Sequence, residues 1–168
     1  AASWLANPRA TRETLEAFGL ATKHRLGQNF LVEDNIIRKI IRLAELTSDD
    51  VVLEVGPGLG TLTVAMLDYV RAVCSIEADR ELEGVLAATC KEPHQDSFVL
   101  CMGDALKATP QLVGDAYASL GVFADAQGKE ASGALIGPNK FVSNLPYQVA
   151  ATLILLFFQE LHLLETFL

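Results

Sequence analysis

Apolar residues recur at two different periods along this chain, and the change of period divides it. From Glu33 the positions Ile36, Ile37, Ile40, Ile41 and Leu43-Ala44 return at helical spacing, which predicts an amphipathic helix running to about Leu46. Ahead of it, Asn7-Pro8 is a helix start with Asn as cap and Pro in the first turn, and Gly19 closes that short helix. Lys23 to Phe30 reads as a polar connector. After the turn cluster Thr47-Ser48-Asp49-Asp50 the pattern becomes short apolar runs separated by helical stretches. Strands are predicted at Val51–Val55, Ala72–Ile76, Phe98–Met102 and Phe141–Ser143. Helices are predicted at Thr61 to about Tyr69, Arg80–Cys90, and Gln148 onward.

Strands alternating with helices imply right-handed crossovers and an α/β fold, Rossmann-like and doubly wound, with a mostly parallel sheet. Such a sheet binds ligands beyond the carboxyl ends of its strands, where strand order reverses. Residues 1–30 form an N-terminal helix and connector in this reading, and residues 31–168 the Rossmann-like domain. Residues 113–140 break the rhythm. Five glycines lie among small and charged residues there, so the stretch reads as an insertion with one helical turn around Ala116 to Phe123.

Composition narrows the picture modestly. With 168 residues, half of them apolar, the chain has the size of one domain and the makings of a core. Cys74, Cys90 and Cys101 are an odd number without metal-ligand spacing, and two of them fall in strand-like runs, which fits a reduced, cytoplasmic setting. The longest apolar run, Val149 to Phe158, is well short of the roughly 20 residues of a membrane span. No charged start followed by an apolar block opens the chain, so no secretory leader is expected. His24, His94 and His162 have neither ligand nor triad spacing, and no metal is expected. The net charge of −8 is unevenly spread: residues 1–42 hold seven Lys/Arg against four Asp/Glu, and the remainder six against seventeen. Positive charge therefore gathers around Arg9, Arg12, Lys23, Arg25, Arg38, Lys39 and Arg42. That is either a solvated face or the start of a nucleic-acid surface.

Two motifs carry chemistry. Glu54-Val55-Gly56-Pro57-Gly58-Leu59-Gly60 lies between a strand and a helix, the context in which a glycine turn cradles a nucleoside. Gly56 and Gly58 permit a sharp turn and close approach of a ligand. A dinucleotide fingerprint would place its third glycine at 61, which is Thr61, and Pro57 removes an N–H that a pyrophosphate would use. The turn therefore suits a nucleoside without phosphates, such as S-adenosyl-L-methionine. Glu77, twenty-one residues after Gly56, is placed to accept ribose hydroxyls, and Asp104 after the third strand to accept from an adenine amino group.

The second motif, Asn144-Leu145-Pro146-Tyr147, follows the fourth strand. The lone pair of an adenine N6 is delocalised into the ring, so this nitrogen is a poor nucleophile. Acceptance of its hydrogens by the Asn144 amide oxygen and the Leu145 carbonyl would localise that lone pair. Pro146 stiffens the turn without donating, and Tyr147 offers a face for an extracted base. No strong general base is required, and the rate would come from positioning and carbonyl dipoles. Taken alone, the four residues also read as an ordinary turn entering a helix.

Leu26-Gly27-Gln28-Asn29-Phe30-Leu31, Glu54-Val55-Gly56-Pro57-Gly58 and Asn144-Leu145-Pro146-Tyr147, in that order, resemble the ribosomal RNA adenine N6-dimethyltransferases, which include the small-subunit KsgA/RsmA enzymes and the Erm resistance methylases. The resemblance runs from about Lys23 to the end of the chain. It implies a fold of the S-adenosylmethionine-dependent methyltransferase type, with Asn29, Leu31, Gly56, Gly58, Glu77, Asp104 and Asn144 around the cofactor. It further implies that Asn144 and Tyr147 hold the target adenine while Leu145 and Pro146 shape the turn. Within the family the housekeeping branch fits better. Its substrate is a pair of adjacent adenines near the 3′ end of small-subunit ribosomal RNA, presented by an assembling particle. Other family members carry further strands and a small helical domain after the last helix seen here. The domain is expected to be incomplete from Gln159 onward, with the strand at Phe141–Ser143 at or near an exposed edge. Such a segment would form most of the cofactor pocket and transfer methyl groups poorly by itself. Two other readings stay open: a DNA or small-molecule adenine N6-methyltransferase, and a non-catalytic RNA-binding assembly or transcription factor on the same fold. Leu145, where DNA adenine methylases tend to carry Pro, weighs against the first. Retention of both Asn144 and Tyr147 weighs against the second.

Overall fold

The computed structural model describes residues 1–120, 137–160 and 165–167. At its centre is a five-stranded sheet of order β3-β2-β1-β4-β5: β1 Val51–Val55, β2 Ala72–Glu77, β3 Phe98–Met102, β4 Lys140–Val142 and β5 Glu165–Phe167. Every pairing is parallel, with Val55 opposite Ile76, Glu77 opposite Met102, Leu53 opposite Phe141, and Val142 opposite Phe167. All residues of β1 and β2 are buried, the mark of a parallel sheet covered on both faces.

One face carries α1 (Pro8–Ala17), α2 (Lys23–Leu26), α3 (Asp34–Ala44) and α4 (Thr61–Met66). Leu5, Leu15 and Leu20 from the amino end join Ile37 and Ile40 of α3, Met66, and Val52 and Val73 of the sheet in one core cluster. On the opposite face, α6 (Pro110–Ala118) and α7 (Tyr147–Glu160) supply Val113, Tyr117 and Leu153, which pack with Leu53, Cys74, Ile76 and Phe141. Val52 and Leu53 thus point to opposite cores, as the period of a strand demands. The Tyr117 hydroxyl donates to the Val52 carbonyl, anchoring α6 to the central strand.

Several expectations need correction. The connector is not irregular throughout, because Thr22 caps the short helix α2 by accepting the Arg25 N–H. The predicted helix 80–90 is three pieces in series: a 3-10 turn Arg80–Leu82, the α-helical turn α5 (Glu83–Leu86) and a π-helical turn Ala87–Lys91. The helix after the glycine turn ends at Met66. Helix α6 begins earlier than the turn expected at 116–123, because Thr109 caps it and Pro110 opens it. Residues 121–123 lie outside the described residues. The strand at 140–142, expected at or near an edge, lies one strand in from it, since β5 pairs beyond it.

The amino ends of β1 and β4 are tied by a buried ion pair. Lys140 Nζ lies 2.9 Å from Asp50 Oδ2 and donates to the carbonyls of Ala44 and Glu45, where α3 ends. Asn139 donates to Asp50 Oδ1 and accepts the Val51 N–H at 2.7 Å. Burial alone would raise the Asp50 carboxyl, but hydrogen bonds from Asn139 and Lys140 outweigh it and hold it below the usual range. Removing one partner strands the other charge, so Lys140→Ala should lower unfolding stability by about 3–5 kcal/mol in urea titrations. The double variant Lys140→Met/Asp50→Asn should lose less than the two single losses added together.

Candidate functional site

The site is built where β1 ends. Gly56 (φ 67°) donates its N–H to the Ile76 carbonyl at 2.9 Å, and Gly60 (φ 92°) donates to the Pro57 carbonyl at 2.9 Å. Both lie in the left-handed region that favours glycine. A Cβ at Gly60 would stand 2.6 Å from Cys90 Sγ and 2.9 Å from Thr89 Oγ1, so the π-helical turn can press against the glycine turn only because that side chain is absent. A Cβ at Gly56 would meet Leu145 Cδ2 at 3.2 Å. The first motif therefore touches the second. What aligns them is Ser143, fully buried at the end of β4, whose Oγ accepts the Val55 N–H at 2.8 Å.

Two cavities meet at Gly56. The larger, about 400 Å³, lies beyond the ends of β1, β2 and β3 and is lined by Gly56, Glu77, Asp104 and Leu106, with Val149 and Thr152 of α7 opposite. Glu77 is buried, its Oε1 accepting the Gly58 N–H at 3.3 Å and its Oε2 the Asp79 N–H at 3.0 Å. Asp104 is exposed at the cavity, and its Oδ1 caps the following turn by accepting the Leu106 N–H. The smaller cavity, about 80 Å³, is lined by Asn29, Phe30, Glu54, Gly58, Thr61 and Asn144 among others.

The structure thus brings Gly56, Glu77 and Asp104 to one chamber, and Asn29, Gly56, Gly58 and Asn144 to the other. Leu31 lines neither; it faces a separate cleft beside α1. Leu145 is half-buried against the core, Pro146 is exposed, and Tyr147, the first residue of α7, is 80% exposed. Sequence reasoning missed Ser143 and Glu54 as parts of the site. It also missed the face of α7 that closes the larger chamber.

The connector bearing Asn29 is fastened from below. Arg25, placed among surface cations by its sequence neighbourhood, is buried and pairs with Asp79 and Glu81 while donating to Gln28. The Arg25 hydrogen bond holds the Asp79 carboxyl below its ordinary value. Since the Asp79 N–H also meets Glu77, the connector and the end of β2 form one unit.

Three N–H groups of the turn are already committed. The N–H of Gly56 goes to Ile76, that of Gly58 to Glu77 and that of Gly60 to Pro57, and Pro57 has none. With Glu54 and Glu77 also present, the turn has little to offer a pyrophosphate and fits a nucleoside whose far end is cationic. S-adenosyl-L-methionine meets that description. Glu77 and Asp104 would hold its adenosine, with Asn29, Gly58 and Asn144 around its amino-acid end.

Residues 19–168 match the sequence model of the ribosomal RNA adenine dimethylase family. The chain belongs to the ribosomal RNA adenine dimethylase family. Among its relatives are proteins named ribosomal RNA small subunit methyltransferase A: one from Opitutus terrae, 40% identical over 85% of this chain and 45% of its own length, and one from Natranaerobius thermophilus, 41% identical over 90% and 49%. The chain spans about half the length of the curated relatives it matches. Among solved structures, the 23S rRNA methyltransferase ErmE is 28% identical, with a TM-score of 0.53 over 76% of this chain and 41% of its own. A dimethyladenosine transferase from Plasmodium falciparum shares the fold at 24% identity, with a TM-score of 0.55 over 78% of this chain and 38% of that one. An RNA methyltransferase from Salinibacter ruber, solved with S-adenosyl-L-homocysteine, also shares the fold at 17% identity, with a TM-score of 0.55 over 77% and 69%. Among the described residues no helix is long and apolar enough to cross a membrane, and no acidic, His or Cys cluster could hold a metal.

For this member of the family, Glu54 is the electrostatic oddity. Burial pushes its carboxyl up to about 7, against the lowering effect of hydrogen bonds from Thr63 and Ser75. A folded-state value above the unfolded one means that the native state binds the extra proton, so stability is lost as pH rises from about 4.5 through 7. Glu54→Gln keeps an acceptor for both hydroxyls and cannot ionise. Between pH 4.5 and 8 the wild type should lose on the order of 3 kcal/mol relative to this variant in chemical unfolding. Parallel curves would show that Glu54 does not titrate there.

Proposed function

We propose that this chain is the cofactor-binding and transfer part of an S-adenosyl-L-methionine-dependent enzyme that dimethylates N6 of adenines in small-subunit ribosomal RNA. Its substrate is the RNA within a pre-assembled small ribosomal subunit, in the cytoplasm. The observation that carries this reading is the Val55–Ser143 hydrogen bond, which joins two motifs 88 residues apart so that Asn144 and Gly56 line one chamber. Family membership and the names of the relatives support the RNA substrate.

The cofactor, when bound, supplies an electrophilic methyl group. The residues of this chain hold and orient the acceptor. The Asn144 amide oxygen and the Leu145 carbonyl would each take one N6 hydrogen, concentrating the nitrogen lone pair on the face toward Gly56. Gly56 lets Leu145 lie close against the glycine turn, because a Cβ there would stand 3.2 Å from Leu145 Cδ2. Tyr147, standing in solvent at the head of α7, offers its ring to a base drawn out of the RNA. Leu145 packs against the core and Pro146 has no N–H, so the turn presents acceptors in a fixed geometry. Glu77, held to the turn by Gly58, is assigned to the ribose hydroxyls, and Asp104 to the adenine amino group of the cofactor.

The test is transfer of a labelled methyl group to unmethylated small ribosomal subunits, read as N6,N6-dimethyladenosine by nucleoside mass spectrometry. It should be run with this chain and with the chain extended by the carboxyl-terminal half of the Natranaerobius thermophilus relative. Dimethyladenosine in the RNA supports the reading; cofactor binding without RNA methylation in either form contradicts it. Asn144→Ala should reduce transfer by roughly 100-fold or more, well beyond its effect on cofactor affinity. Glu77→Ala should weaken cofactor binding about 10- to 100-fold by calorimetry.

A further inference from the structure

A second recess opens beside the transfer chamber. Pro8, Thr11, Arg12 and Leu15 recur on one face of α1 at spacings of three and four, and this face looks across a cleft at Leu26 and residues 28–31. The cleft has a volume of about 190 Å³. That is below the roughly 300–1,000 Å³ of pockets enclosing a drug-sized molecule, so it takes a single ring system. Asn29 and Phe30 line this cleft and the transfer chamber alike, so the two recesses share a wall. Phe30 is fixed in that wall by the glycine turn, its ring 3.6 Å from where a Cβ of Gly58 would stand.

We propose that this cleft receives the base next to the target adenine in the RNA strand, with the adjoining phosphate on Arg12; the assignment rests on the RNA-methylating reading above. The chemistry of the walls matches a nucleotide. Leu15, Leu26 and Phe30 supply apolar area for a ring. Gln28, exposed, supplies an amide donor and acceptor for a base edge, and exposed Arg12 stands at the rim. The charge pattern favours a polyanion at this end of the chain. Residues 1–42 carry a net positive charge, while the remainder holds seventeen acidic residues against six basic. Within that basic stretch Arg25 is buried against Asp79 and Glu81, Arg9 pairs with Glu13, and Arg38 pairs with Asp34. Arg12 is the cation that reaches the cleft. A base seated beside Phe30 would keep the strand in register while its neighbour reaches the turn at Asn144.

The test uses short single-stranded RNAs with one target adenine, flanked by normal nucleotides or carrying an abasic site on its 5′ or its 3′ side. Binding to the chain is followed by fluorescence anisotropy with S-adenosyl-L-homocysteine present. The base-containing RNA should bind about tenfold tighter than one of the two abasic RNAs, in line with the stacking of a single base. Leu26→Glu, at a half-exposed position, should abolish that difference. Arg12→Ala should weaken all three RNAs alike and flatten the salt dependence. Homocysteine-analogue affinity, measured by calorimetry, should stay unchanged in both variants. If wild type binds all three RNAs equally, or Leu26→Glu preserves the preference, the cleft is not the neighbour's site, and the methyltransferase reading stands. If no RNA binds at all, the cleft proposal falls, while the RNA reading is decided by methyl transfer to small ribosomal subunits.

Discussion

The reversal of strand order at β1 is the constraint on which everything else in this structure depends. The chain lays β2 on one side of β1 and, after a long excursion, β4 on the other. All three run parallel, so their carboxyl ends emerge together and the loops that follow must share one space. The amino ends are locked by the Lys140–Asp50–Asn139 cluster and the carboxyl ends by the bond from Val55 to Ser143. Sheet hydrogen bonds alone would leave the relative register of two short strands weakly specified. With both ends bolted, the glycine turn and the Asn144 turn are held in contact.

Much of this arrangement was legible in the sequence, for physical reasons. Strands packed between two layers are largely apolar, so β1, β2 and β3 stand out as runs. Asn7-Pro8 announces α1, with Asn7 accepting the Ala10 N–H at 2.8 Å. The glycine turn declares itself because left-handed backbone selects glycine. What escaped was determined by partners far away in sequence. Arg25 looks like one more cation in a basic stretch, yet Asp79 and Glu81, more than fifty residues on, draw it into the interior. Ser143 reads as the end of a strand, and only the fold supplies the Val55 N–H for it to accept. Helix α6 was concealed by glycine-rich surroundings, although its Thr109-Pro110 start follows ordinary capping rules. The short strand β5 carries too few residues for periodicity to mark.

The candidate site divides along the same line. Glu77, Asp104, Gly56, Gly58 and Asn144 could be singled out as candidates from motif and position at strand ends, and Asn29 only from the family resemblance. Neither their grouping into two chambers meeting at Gly56 nor the burial of Glu54 beneath them was visible, since both depend on packing. The commitment of three of the turn's N–H groups to protein acceptors is likewise a property of the folded turn. It turns a preference against phosphates, first visible in Pro57, into a structural reason for a nucleoside with a cationic tail.

The central claim is that one nucleoside cofactor spans both chambers across Gly56. Backbone amide chemical shifts of the labelled chain, followed as S-adenosyl-L-homocysteine is added, test it most directly. Saturable shifts are expected, confined to Asn29, the glycine turn from Gly56 to Gly60, Glu77–Asp79, Gly103–Leu106 and the turn at Asn144. Shifts confined to the larger chamber, with Asn144 and Asn29 silent, or shifts at none of these positions, would contradict it.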